Sequence, residues 1–453
     1  MRNYLLASAA LLGLVAGGVA QAATFAETDA SRNASAFGSP QTKPAPGKII
    51  VHMGGLIAVD GVFANQTSDK SSTTTAKNSP YGMGGYFRLY FGVDGKLANG
   101  LIYGGKSEMR TNFAGGQAAT YTGTATLNNS SSNSTGSLWY TRRAYGYVGG
   151  DSWGIVRIGQ GDGPISLFTG GGITTGEAYS TGQWDGDACT IIGPGCPGWA
   201  FLDVGNEYVS NKITWVSPSW GGLQLGASYA PDSVGLWANG GNTAYAGGNP
   251  QQQTSNLASD MKRPKDMIEV AARWQGNLGP VAVDAMAGYL ASNTVKGTAA
   301  GIAGLPAGVT GYKGLSVYDA GLSFTYMGAS VFGHINGGKS DGAATPMATL
   351  TVRKKDQFVF DVGAQYSTGP YTVGASYYQF NHQGAASGTG NRVDQGMSVG
   401  GQYTVTPGFD VFAEYLWGKV AQNGVNFVDS NGAATANNKI TTSMVILTGL
   451  WRW

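Results

Sequence analysis

Charge is scarce in this chain. Only 12% of its 453 residues are Asp, Glu, Lys or Arg, about half the fraction usual for a soluble protein. The 28 basic and 26 acidic residues leave a formal net charge of +2. That balance argues against a nucleic-acid partner, which needs a concentrated basic patch. Histidine is scarcer still, with only His52, His334 and His382. No Ser-His-acid spacing recurs locally, so the pattern gives no support to nucleophilic catalysis. No His/Cys cluster has metal-ligand spacing, and Gly170-Gly171-Gly172 precedes no helix that would cradle a phosphate. The sequence calls for no metal and no cofactor. Long apolar runs are missing too, apart from one near the start, and the mean hydropathy is -0.11. A helical membrane protein is excluded by that shortage.

The one apolar run follows Arg2, extends from Leu5 to Val19 and closes on Ala20-Gln21-Ala22. A charged start, a short apolar middle and alternating small residues predict a signal peptide over 1–22. Its removal takes away Arg2 and lowers the formal net charge from +2 to +1. Residues 23–47 are polar and small, show no period, and read as a flexible arm. Export favours oxidation, and the short spacing of Cys189 and Cys196 suits one local disulfide, two free thiols being the other state.

From residue 48 onward the chain repeats one pattern. Phe358, Phe360, Val362, Ala364 and Tyr366 share one parity, while Gln357, Asp361, Gly363 and Gln365 share the other. In a strand those two sets face opposite ways. About sixteen such segments occur, joined alternately by seven short Gly/Pro/Asp/Asn turns and eight long Ser/Thr/Gly/Asn-rich loops. Tyr and Trp gather at segment ends, as at Trp153, Trp220, Trp274, Tyr366, Tyr371, Tyr403, Trp417 and Trp451. An even strand count, asymmetric connections and aromatic girdles predict an all-β fold. It is a 16-stranded antiparallel transmembrane β-barrel over 48–453, with short periplasmic turns, long extracellular loops and lipid outside. Pairing of the first and last strands would remove the open edges that a bilayer does not tolerate.

The final nine residues, Val445 to Trp453, place apolar or small side chains on alternate positions back from a terminal aromatic. This resembles the closing strand of bacterial outer-membrane barrels, which implies that Trp451 and Trp453 serve as the signal for the barrel-assembly machinery. Residues 141–150 followed by Trp153 to Gln160 resemble the hairpin before the constriction loop of general trimeric porins, and Gly163-Pro164 is similar to alphaproteobacterial members. The resemblance implies a homotrimer in the outer membrane of a Gram-negative bacterium, with lipid around it and ions and small hydrophilic solutes passing through.

The longest connection, 161–206, holds Asp162, Glu177, Asp185, Asp187 and Asp203 and has no Lys, Arg or His. It also carries Trp184, Ile191, Ile192, Trp199, Phe201 and Leu202. An apolar loop of this kind needs a cover, so it is expected to fold into the lumen, as the third loop of porins does. A Cys189–Cys196 bridge would stiffen it by about 2–3 kcal/mol. The facing wall is expected to be basic: Arg88, Lys106, Arg110 and Arg157, with Tyr86, Tyr90 and Glu108 beside them. Parity admits one of two adjacent arginines. Tyr145 and Tyr147 share the parity of Arg143, which predicts Arg142 inward and Arg143 outward, at the rim or in a subunit contact. Acid facing guanidinium across a throat gives a transverse field. The function expected is passive diffusion of ions and small hydrophilic solutes. A carbohydrate-selective channel, using Tyr86 and Tyr90 as a track, is the alternative, and a barrel enzyme or adhesin ranks below it.

Overall fold

The computed structural model describes residues 44–67, 79–112, 140–169, 210–232, 254–256, 260–305, 309–340, 349–350, 356–384, 390–427 and 438–453. The expected signal peptide, most of the arm, and the long loop beyond Thr169 lie outside them. With that loop go Glu177, Asp185, Asp187, Cys189 and Cys196.

Sixteen strands form one closed barrel. They are β1 Ile49–Gln66, β2 Tyr81–Lys96, β3 Ile102–Asn112, β4 Tyr140–Gly150, β5 Gly154–Gly161, β6 Ser210–Val216, β7 Leu223–Asp232 and β8 Pro264–Leu278. After these come β9 Val281–Thr294, β10 Ser316–Tyr326, β11 Ala329–Lys339, β12 Gln357–Thr368, β13 Tyr371–His382, β14 Arg392–Thr406, β15 Phe409–Ala421 and β16 Lys439–Arg452. Each pairs antiparallel with its chain neighbours, and β1 closes on β16 from Leu56↔Arg452 to Gln66↔Thr442. Trp453 extends the seam by exchanging backbone hydrogen bonds with Gly55 at 3.0 and 3.1 Å.

The two-residue period sorts the walls as the sequence predicts. Tyr318, Leu322, Phe324 and Tyr326 of β10 are exposed toward lipid, while Asp319 and Ser323 on the other parity are buried inside. At the short-turn rim Tyr371 stacks on Tyr403 at 5.1 Å and Phe409 on Trp451 at 5.0 Å. These rings suit the headgroup level. One turn lies beyond Gly276-Asn277, whose composition alone suits a reversal. Gly276 and Asn277 remain paired with Val283 and Ala282, and the chain reverses at Gly279-Pro280 instead. Gly279 takes a positive φ of 59°, and Pro280 has no N–H to leave unmet in a ladder.

Candidate functional site: the lumen wall

The lumen wall falls into four sectors around the ring. The first, on β2–β5, is basic. Register places Arg88, Lys106, Glu108, Arg110 and Arg157 on the inner face, as expected. Arg143 departs from expectation. It is inward, 2% exposed, and holds Asp162 through Nε at 2.5 Å and Nη2 at 2.9 Å. Its Nη1 also donates to Glu108, which accepts from Arg110 Nε as well.

Arg142 reaches the same carboxylate, at 3.7 Å. Both arginines serve one face because the strand bulges there. Glu108 pairs with Arg143 and Met109 with Thr141, so Arg142 falls between two register positions as the extra residue. A bulge inserts one residue and resets the alternation. Gln160 Nε2 secures it by donating to the carbonyls of Arg142 at 2.7 Å and Thr141 at 3.3 Å. Tyr145 and Tyr147 are inward too, opposite Lys106 and Gly104. Arg157 lies 4.9 Å over the Tyr145 ring, and Tyr147 donates to Asp94. Burial alone would raise the Asp162 carboxyl. The charges of Arg143 and Arg142 outweigh that and hold it below the ordinary carboxylate range.

The second sector, on β7–β9, seats the start of the long loop. A short helix, α1 (Pro164–Thr169), lies inside the barrel with Ile165, Leu167 and Phe168 at most 5% exposed. They pack with Ala230, Met267, Ala271, Met286 and Leu290 of the wall. Glycines make the slot. A Cβ on Gly288 would meet Ile165 at 2.4 Å, and one on Gly226 would meet Pro164 at 2.5 Å. Glu269 accepts from the Ile165 N–H at 2.6 Å, a carboxylate at the helix start. Three buried apolar side chains supply about 1.5–3 kcal/mol each to the docking.

The third sector, on β10–β14, is acidic. Asp319 accepts from Asn336 at 2.9 Å and contacts His334 Nε2 at 2.8 Å. Asp361 is fully buried on β12, and Asp394 contacts His382 at 2.9 Å and accepts from Arg392 at 2.9 Å. Among the described residues, Arg392 is the one Lys or Arg on the inner face of these five strands. Strand order sets β11 and β12 eight positions round the ring from β3 and β4. The acidic wall is therefore diametrically opposite the basic one.

The fourth sector, on β15, β16 and β1, sets an apolar stripe among the buried carboxylates Asp60, Asp410 and Glu414 on its inner face. Leu56, Val62, Leu416, Val420, Ile440, Met444, Ile446 and Leu450 are at most 1% exposed. Sequence reading missed this stripe, as it missed the wall carboxylates Asp319 and Asp394 and the Arg273–Asp284 pair on β8 and β9.

The histidines do not form a catalytic group. His52 sits 3.1 Å from Asp94. His382 spends Nε2 on Asp394 and accepts at Nδ1 from the Gly384 N–H at 3.1 Å, so no nitrogen remains for a nucleophile. Tyr86 and Tyr90 are 5% and 2% exposed, and Arg88 covers the Tyr86 ring at 4.3 Å. They offer no open aromatic track.

Comparison with known proteins agrees with this geometry. The family model for Gram-negative porins matches residues 7–422. No curated protein matches the chain. Among solved structures, the anion-selective porin of Comamonas acidovorans is similar at 15% identity and a TM-score of 0.52, covering 89% of this chain and 100% of that one. OmpF of Salmonella typhi, solved with daunomycin, is 12% identical at 0.51, covering 89% and 97%. The trimer form of OmpT from Vibrio cholerae is 12% identical at 0.51, covering 89% and 99%. At these identities the structures speak for the fold; the family match carries the function. The chain belongs to the Gram-negative porins, non-enzymatic β-barrels of the outer membrane, and forms a general diffusion channel there.

Proposed function

We propose that this channel passes small hydrophilic solutes through a charge-separated throat. Arg88, Lys106, Arg110, Arg142, Arg143 and Arg157 form its basic side. Asp162, expected with the loop acids, is ion-paired to Arg143 on that basic side; the loop acids Glu177, Asp185 and Asp187, together with the wall acids Asp319 and Asp361, form the other. The observation that carries this reading is the opposition of the two walls across the ring. Five charged groups, Arg110, Arg142, Arg143, Glu108 and Asp162, cluster on one side, and five strands opposite carry a single inward Lys or Arg. A field of that direction aligns dipolar solutes and disfavours apolar ones. Purified protein should give stable open conductance in planar bilayers. The double variant Arg88→Gln/Arg157→Gln should shift the reversal potential in a KCl gradient toward cation preference. An unmoved reversal potential would dismiss the throat assignment.

The rest of the 161–206 loop belongs to the same proposal. Its first turn is seated inward, and its apolar residues need a cover. A Cys189–Cys196 bridge would stiffen it. The homotrimer is proposed on the exposed outer faces of β1 and β2, where Val51 is 74%, Met53 64% and Met83 75% exposed. Arg143 no longer contributes to that argument, since it faces inward. The alphaproteobacterial type rests on Gly163-Pro164, the signal peptide on residues 1–22, and the periplasmic arm on residues 23–47. Trp451 and Trp453 are proposed as the assembly signal. Deleting both should abolish the detergent-resistant species on gels, and its survival in normal yield would remove that role.

A further inference from the structure

The ring of Trp453 is seated on strands that are not its own. β1 runs six residues, Ile49 to Gly54, past the end of its ladder with β16, and among the described strands those residues pair only with β2. Trp453 stands where the ladder stops. Its backbone bonds to Gly55 of β1, and its indole lies across Gly55 to stack on Phe87 of β2, with ring centroids 5.9 Å apart and planes 27° from parallel. Gly55 is the seat. It is buried while Met53, on the same outward parity, is 64% exposed. A Cβ added to Gly55 would lie 2.5 Å from Trp453 Cζ2 and 2.9 Å from Cε2. Trp451 makes the contrasting contact. It stacks on Phe409, its register partner on β15, and stays on its own side of the seam.

We propose that Trp453 is a clasp for the closure seam: it fastens β16 to β2 across β1, and Gly55 and Phe87 are its receptor. A ladder opens first at its ends, where backbone bonds have a neighbour on one side only. A ring anchored one strand farther on opposes that opening, because β16 cannot peel from β1 without also leaving β2. Lipid is as apolar as the indole, so the notch stabilises by close packing rather than by removal from water. The missing side chain of Gly55 is what permits the approach. This role belongs to the folded barrel, and it differs from recognition of Trp453 during assembly, which acts before closure. It requires neither an infolded loop nor a trimer.

The test uses the barrel folded from urea into detergent micelles, with no assembly machinery present. Trp453→Ala and Phe87→Ala should each lower the urea midpoint, read from the heat-modifiable band on gels. Combined, they should lose less than the sum, with a coupling of about three- to tenfold in the unfolding equilibrium, the range for an aromatic pair. Trp453→Phe should restore most of the loss. Trp451→Ala should also destabilise, but additively with Phe87→Ala. Hydrogen exchange reads the seam itself. Trp453→Ala and Phe87→Ala should each speed exchange about tenfold in peptides covering 55–63 and 445–453, and leave the ladder between β12 and β13 unchanged. Additive losses for Trp453→Ala and Phe87→Ala, or a seam that exchanges at the wild-type rate in both, would overturn the clasp. Wild-type stability of Trp453→Ala in micelles, with failed assembly in cells, would make Trp453 a recognition signal alone and overturn it equally. If Trp453→Ala does not fold in micelles, Phe87→Ala decides: it leaves Trp453 and Gly55 in place, and unchanged seam exchange rejects the proposal.

Discussion

Replacing Arg143 with leucine is expected to destabilise the barrel by about 3–5 kcal/mol, the range for removing one partner of a buried ion pair. The reason is what remains behind. Arg143 is 2% exposed, and its guanidinium serves both Glu108 and Asp162, themselves 0% and 2% exposed. Leucine fills part of the volume but leaves Asp162 without its two-point partner, the bonds at 2.5 and 2.9 Å. Arg142→Leu should cost far less, because Arg142 lies 3.7 Å from Glu108 and its side chain is 16% exposed. Urea unfolding in detergent, followed by tryptophan fluorescence, separates the two. A triple variant, Arg143→Leu with Glu108→Gln and Asp162→Asn, should recover much of the loss, since the stranded charges go with the arginine. Equal destabilisation by Arg143→Leu and Arg142→Leu would contradict the bulge assignment.

The bulge also explains where sequence reasoning succeeded and where it inverted. The parity argument placed Tyr318, Phe324 and Val362 outward and Asp361 inward, and each is so. It works because one face is buried along whole strands, which pins the register. In β4 the same argument met two adjacent arginines and had to choose. A bulge adds one residue without any compositional mark, so the choice fell on the wrong parity for Arg143, Tyr145 and Tyr147. A better signal was present. Counting back through the short turn at Asp151 puts Tyr147 opposite Arg157, and Arg157 was already assigned to the lumen. The apolar inner stripe was illegible for another reason. Leu416, Ile446 and Leu450 lie inside while Val445, Leu447 and Trp451 lie outside. Where both faces are apolar, alternation carries no contrast to read.

Substituting Gly288 with leucine should unseat α1 and widen the channel. The inner face of β7–β9 accepts this helix because it is lined by small residues, and Gly288 is the deepest notch. An added Cβ would lie 2.4 Å from Ile165 Cγ1 and 3.0 Å from its Cδ1, with Val270 backbone oxygen 3.2 Å away. Real side chains do not approach so closely, and the strand is fixed by pairing on both edges, to Ala271 and to Asp319. The helix must yield. Overpacking alone costs about 1–3 kcal/mol, comparable to what one docked side chain of α1 contributes, so leucine removes a large share of the seat. On the proposed infolding, the loop that continues from Thr169 leaves the throat with it. Single-channel conductance should rise, and larger neutral polyethylene glycols should then enter the bore. Gly333→Ala is the control: it lies on β11, two strands from β9, on the outward parity of Val331 and Ile335, and its added Cβ would find its nearest neighbour at 3.9 Å. Higher conductance in Gly288→Leu with no change in Gly333→Ala assigns the restriction to the seated loop. Identical conductance and polymer exclusion in both would place the narrow point of the channel elsewhere on the wall.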